Sequence, residues 1–321
     1  MVLAALAAVV ALSWAGGRTH LADAISRLWC RLGDCAAAAA APSVDPWDSP
    51  DPIRRATWGS MVIIGDSFAS GEGNEDYGAL ESDQRCHGSD NSYGRGVAAT
   101  LDMDDRVSFV ACTGAVVRDL SRRRKGQAPQ LDALDADTSL VTVTIGGNDL
   151  GWVKELKACV AVLVGDCEPG TDRDKFLSHR IEAMGPVLEK TYNEIQARAP
   201  HARIVVAGYP RFFPEEPDST YTQGPLGTID VFSTKTQEWA NLRLTQFNKV
   251  IRQATEAAGV EYVDMTDAFE GHEITTGQPW YHGIEYRADL EMVEAGSFHP
   301  NTAGQARMAE LVQKQIRRPV R

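Results

Sequence analysis

The chain has 321 residues, 43% of them hydrophobic and 24% charged, a composition that buries a full core and excludes disorder as its organising state. Its 32 Lys and Arg stand against 44 Asp and Glu, for a net charge of −12. That balance excludes nucleic acid as a natural partner, because phosphate binding depends on basic residues that release counterions.

The first fifty residues do not read like the rest. Val2–Leu12 is unbroken apolar sequence, shorter than the ~20 residues that span a bilayer but suited to the core of a signal peptide. No basic stretch precedes it, so either the true start lies upstream or the segment is the tail of a longer membrane helix. Both readings place the protein outside the cytoplasm, secreted or membrane-anchored through this segment. Leu21, Ile25, Leu28, Trp29 and Leu32 then recur at helical spacing and form one apolar stripe, for packing against the main domain or for membrane contact. Ala36–Ala41 is low-complexity, and Pro42, Pro46, Pro50 and Pro52 mark a linker or surface strap. The expected division is therefore 1–55 as signal or anchor, short helix and linker, and 56–321 as the folded domain.

From residue 56 the pattern alternates. Met61–Ile64, Val107–Ala111, Leu140–Ile145, Ile204–Ala207 and Tyr262-Val263 are short apolar runs that predict buried strands. Phe176–Ala199, Thr236–Ala258 and Thr302–Ile316 predict helices. Strands alternating with helices imply an α/β fold, a three-layer α/β/α arrangement around a flavodoxin-like five-stranded parallel sheet. In such sheets ligands bind beyond the carboxyl ends of the strands, so chemistry is expected just after the apolar runs. The run Arg122-Arg123-Arg124-Lys125 reads as a solvated loop.

Six cysteines without a C-x-x-C motif suggest disulfides rather than zinc, and an oxidising compartment. Proximity favours Cys159 with Cys167, leaving Cys86 with Cys112 and Cys30 with Cys35. Free buried thiols are the alternative. No metal-ligand spacing occurs, and no cofactor is implied.

The first apolar run leads into Gly65-Asp66-Ser67-Phe68-Ala69-Ser70-Gly71. A serine hydroxyl is a poor nucleophile until a base takes its proton and backbone donors stabilise the oxyanion. A serine on a strand-to-loop turn presents both its Oγ and its own N–H, although a phosphate-cradling turn fits this segment equally well. The second run ends in Cys112-Thr113-Gly114-Ala115, where glycine lets a backbone N–H approach a substrate; a plain turn is the alternative. The third ends in Gly146-Gly147-Asn148-Asp149, and the Asn148 amide suits an oxyanion hole as well as a cap or turn. Near the C-terminus, His299 precedes Pro300-Asn301 and a helix start, and imidazole titrates where a general base must.

Gly65-Asp66-Ser67, Gly146-Gly147-Asn148-Asp149 and His299-Pro300-Asn301, with Gly114 between them in chain order, resemble the SGNH (GDSL) hydrolase superfamily over Met61–Gln315. That resemblance implies a serine-dependent carboxylic ester hydrolase of the esterase or lipase type. Ser67 would be its nucleophile and His299 its base, with the Ser67 and Gly114 N–H groups and the Asn148 amide as oxyanion hole. Asp66 and Asp149 would tie down their loops. The aspartate that the family places three residues before the histidine is Gly296 here. As in some secreted actinobacterial members, a main-chain carbonyl, that of Gly296, would then orient His299, with Glu294, Glu291 or Asp289 as substitutes. Gly271-His272-Glu273 and Pro279-Trp280 are similar to the pre-histidine loop of that subgroup, but Ile274-Thr275 stands where many members carry a cysteine. Phe212, Phe213, Trp280 and Tyr281 are expected to line an acyl pocket, with a place in the core as the alternative. The expected partner is a small-molecule or lipid ester. A carbohydrate-ester deacetylase, an acyltransferase on the same site and a non-catalytic binding module are the rival readings.

Overall fold

The computed structural model describes residues 46–319 apart from 161–166, 218–219, 225–226 and 284–295. The apolar start, the amphipathic stretch, the Cys30–Cys35 pair and the acids Asp289, Glu291 and Glu294 lie outside these. The compact unit that carries the sheet runs from Pro46.

In chain order the helices are α1 (Pro52–Ala56), α2 (Ser67–Ser70), α3 (Glu81–Cys86), α4 (Tyr93–Thr100), α5 (Trp152–Val160), α6 (Asp172–Arg198), α7 (Thr234–Ala258) and α8 (Thr302–Ile316). The strands are β1 (Ser60–Gly65), β2 (Val107–Phe109), β3 (Thr138–Thr144), β4 (Arg203–Ala207), β5 (Thr220–Gly224), β6 (Gly227–Phe232) and β7 (Glu261–Val263).

Five strands form one sheet in the order β2-β1-β3-β4-β7, every pair parallel. This is the expected flavodoxin-like arrangement. Successive strand residues face opposite sides, yet all seven of β3 and all five of β4 are buried, so both faces are covered. This is why the strands read as continuous apolar runs rather than alternations. Helices α4 and α8 pack together against β1 and β4, and α6 and α7 pack together as a second pair.

Several elements lie outside the expected ones, the short helices α1, α3 and α4 among them. The segment after β4 makes an antiparallel hairpin of β5 and β6, and α5 follows the Gly146–Asp149 turn directly. Cys86–Cys112 and Cys159–Cys167 are disulfide-bonded, as proximity suggested.

Candidate active site

The carboxyl end of β1 is built for close approach. Gly65 has φ 143°, and a Cβ there would lie 2.2 Å from the Thr144 carbonyl oxygen of β3, so no side chain fits. The buried Gln130 side chain pairs with the Gly65 backbone in both directions, accepting from its N–H at 2.7 Å and donating to its carbonyl at 3.0 Å. Nothing local in the sequence announced that role.

The chain then turns into α2. Asp66 caps this single turn, its Oδ1 accepting from Phe68 N–H at 3.0 Å. Ser67 is thereby the first helical residue, whose N–H has no partner inside the helix. Asp66 Oδ2 accepts from the Tyr209 hydroxyl at 2.6 Å. Burial pushes the Asp66 carboxyl up to about 7, opposed by the donors Tyr209 and Phe68 and reinforced by Asp149.

His299 reaches this turn from 232 residues away, with Nε2 2.8 Å from Ser67 Oγ. Its Nδ1 lies 3.1 Å from the Ser297 carbonyl and 3.3 Å from the Gly296 carbonyl. Carbonyl oxygens only accept, so Nδ1 carries the proton and Nε2 presents its lone pair to the serine hydroxyl. The Gly296 carbonyl expected from sequence is thus joined, at shorter range, by that of Ser297. Both replace the carboxylate that usually fixes the tautomer.

The backbone around His299 is held from several sides. Phe298 adopts a left-handed φ of 69°, a strained choice for an aromatic residue. Its buried ring packs edge-on against Phe212 and Phe232. His282 N–H donates to the His299 carbonyl at 2.8 Å, and Asn74 Nδ2 donates to the Pro300 carbonyl at 2.8 Å. Burial pushes the His299 imidazole below its usual 6.5, opposed first by the Glu72 carboxylate and then by the two carbonyls.

Gly114 sits at φ 71°, a backbone conformation that favours glycine, with the Arg124 guanidinium close by. Arg124 donates to the Thr113 carbonyl and pairs with Asp119 at 2.9 Å. One member of the basic run therefore turns inwards and braces this loop, while Arg122, Arg123 and Lys125 are exposed as a solvated loop implies. Asn148 Nδ2 donates to the Ala115 carbonyl at 3.0 Å, which uses one amide hydrogen and leaves the second. Asp149 Oδ2 accepts from Val117 N–H at 2.9 Å, tying the Gly114 loop to the Asn148 turn.

A cleft opens beside Ser67, lined by Phe68, Asn148, Trp152, Tyr209, Leu244 and Phe247. The expected acyl-pocket aromatics are elsewhere. Phe212, Phe213 and Tyr281 are buried in the core, and Trp280 packs against it and stacks on His272. Aromatic side chains serve core and pocket alike, and composition does not separate the two. Among the described residues, no group of His, Cys, Asp and Glu is arranged to hold a metal ion.

The sequence profile of the GDSL-like lipase/acylhydrolase family matches residues 63–307. Lipase 1 of Streptomyces coelicolor is 31% identical over 247 residues, covering 76% of this chain and 82% of its own. Lipase 2 of the same organism is 34% identical over 264 residues, covering 78% and 83%. Among solved structures, the extracellular lipase of Streptomyces rimosus aligns with TM-score 0.62 and 27% identity over 80% of this chain and 99% of its own. Phospholipase A1 of Streptomyces albidoflavus aligns with TM-score 0.63 and 29% identity over 80% and 98%.

Proposed function

The chain belongs to the GDSL-like lipase/acylhydrolase family and is a carboxylic ester hydrolase, and from that premise we propose that Ser67 carries the acyl group while His299 serves as its base. The observation that carries this reading is the 2.8 Å contact between His299 Nε2 and Ser67 Oγ. In the first step Ser67 Oγ attacks the ester carbonyl carbon and its proton passes to Nε2. The carbonyl oxygen becomes an oxyanion, received by the Ser67 and Gly114 N–H groups and the second Asn148 amide hydrogen. His299 then protonates the departing alcohol. In the second step it deprotonates a water that attacks the acyl-enzyme, and Ser67 is regenerated. The imidazolium formed in each half is stabilised by the Ser297 and Gly296 carbonyls, with Glu72 as the nearby negative charge.

Lipid or simple acyl esters are the substrates we favour, because the relatives are lipases and because the cleft beside Ser67 is lined mainly by apolar and aromatic groups. Secretion is part of the same proposal. Two disulfides suit an oxidising compartment, and no helix among the described residues is long and apolar enough to cross a membrane. The apolar start would then serve export or anchoring, and the compact unit from Pro46 catalysis.

Hydrolysis of p-nitrophenyl esters tests the assignments. Ser67→Ala and His299→Ala are expected to lose at least ~10⁴ in kcat, and Asn148→Ala about 10²–10³. Turnover by folded Ser67→Ala at the wild-type rate would overturn the proposal.

A further inference from the structure

One tyrosine outside every recognised motif joins the two turns on which the proposed chemistry depends. Tyr209 follows β4, and its backbone is bracketed by Asn248, which accepts from its N–H at 2.9 Å and donates to its carbonyl at 2.8 Å. Its ring lies edge-on to Phe68 with centroids 4.9 Å apart, and stacks on Phe247 at 5.6 Å. Held in this way, its hydroxyl donates to Asp66 Oδ2 at 2.6 Å and accepts from Gly147 N–H at 3.0 Å. Asp66 caps the turn that carries Ser67, and Gly147 directly precedes Asn148.

We propose that Tyr209 is a positioning residue whose hydroxyl sets the spacing between the Ser67 turn and the Asn148 turn, and so tunes the oxyanion hole. The inference rests on the assignment of Ser67 and Asn148 given above. An oxyanion hole works only when its donors stand about 2.7–3.1 Å from the developing charge, and a displacement of ~1 Å costs on the order of 10²-fold in rate. The nucleophile turn and the Asn148 turn end different strands, β1 and β3, and this one hydroxyl bonds to both. Removing it leaves substrate binding by the cleft walls in place and loosens the groups that meet only the tetrahedral state.

The test compares Tyr209→Phe with Tyr192→Phe. Tyr192 is also buried, and among the described residues its hydroxyl has no hydrogen-bond partner, so it controls for loss of a buried hydroxyl. Readouts are kcat and KM on a p-nitrophenyl ester and the inhibition constant of a trifluoromethyl ketone. Ser67 Oγ adds to the ketone carbon, its proton passes to His299, and the ketone oxygen becomes an oxyanion. Tyr209→Phe is expected to lose about 10–100-fold in kcat, to keep KM within about twofold, and to weaken the ketone by the same factor as kcat. Tyr192→Phe is expected to match wild type in all three. Wild-type kcat and ketone affinity in Tyr209→Phe, or a rise in KM with no selective loss of the ketone, would overturn the proposal. Should Tyr209→Phe not fold, 3-fluorotyrosine at position 209 keeps the shape and changes the hydroxyl. Parallel changes in kcat and ketone affinity then support the role, and wild-type values contradict it. A wild-type enzyme that never bonds the ketone through Ser67 would sink the underlying assignment, and this proposal with it.

Discussion

His299 shows how burial and backbone replace a missing carboxylate. Desolvation favours its neutral form and two carbonyls fix its tautomer, as the base we propose it to be requires. The acid limb of kcat/KM is expected below the ordinary imidazole value of 6.5, since His299 is lowered. Glu72 opposes that shift with its negative charge, so Glu72→Gln should move the limb further down; a pH–rate profile showing an upward move would contradict the assignment. Asp66 responds in the opposite sense. Its carboxyl is raised from 3.8 to about 7, so its contribution to stability is fully present below the unfolded value and is lost as pH rises through about 7. The gap of about three units corresponds to roughly 4 kcal/mol. Denaturant midpoints of Asp66→Asn should therefore vary less between about pH 4 and pH 8 than those of wild type, and parallel curves would refute this.

At the scale of elements, the sequence was legible wherever an element is buried on a fixed period. β1, β3 and β4 announced themselves because both faces of the sheet are covered there, the edge strands β2 and β7 by short apolar runs alone, and α6, α7 and α8 because they run long. The β5–β6 hairpin was not read, although Gly224 and Gly227 punctuate β-branched and aromatic flanks there. Nor was α5, a short helix after a turn rich in glycine. Ser67, Gly114, Asn148 and His299 were legible because each ends an apolar run or opens a helix. Tyr209 and Gln130 were not, because their roles arise across long separations, 143 residues to Asp66 and 65 to Gly65, and Arg124 was not, because a run of four basic residues does not mark which member turns inwards. The disulfide Cys86–Cys112 belongs to this scale, anchoring the loop before Gly114 to α3 across a separation of 26 residues. Thr113 N–H also donates to the Cys86 carbonyl at 2.9 Å. Replacing both cysteines by serine should cost about 3–4 kcal/mol on loop entropy and lower kcat by loosening Gly114. Equal unfolding midpoints for the variant and wild type would contradict that reading.

The whole molecule separates a fastening end from a reacting end. Arg203 opens β4, at the end of the sheet opposite Ser67. Its guanidinium pairs with Glu261 of β7 at 2.8 Å through two nitrogens, and donates to the Ile316 carbonyl at 2.5 Å and the Pro52 carbonyl at 3.2 Å. One buried side chain thus joins β4, β7, α8 and α1. Arg203→Met leaves Glu261 with only the Gln315 amide and those carbonyls without the guanidinium donor, at a cost of about 3–5 kcal/mol. Thermal unfolding should shift down while kcat at low temperature stays unchanged; a large loss of kcat without a change in Tm would show that the two ends are not independent.

The most direct test of the central claim is labelling with a fluorophosphonate probe, read by intact mass and peptide mapping, on wild type and on Ser67→Ala. The account predicts one adduct on wild type, mapped to Ser67, and none on Ser67→Ala. An adduct at another residue, or none on folded wild type, would contradict Ser67 as the activated nucleophile.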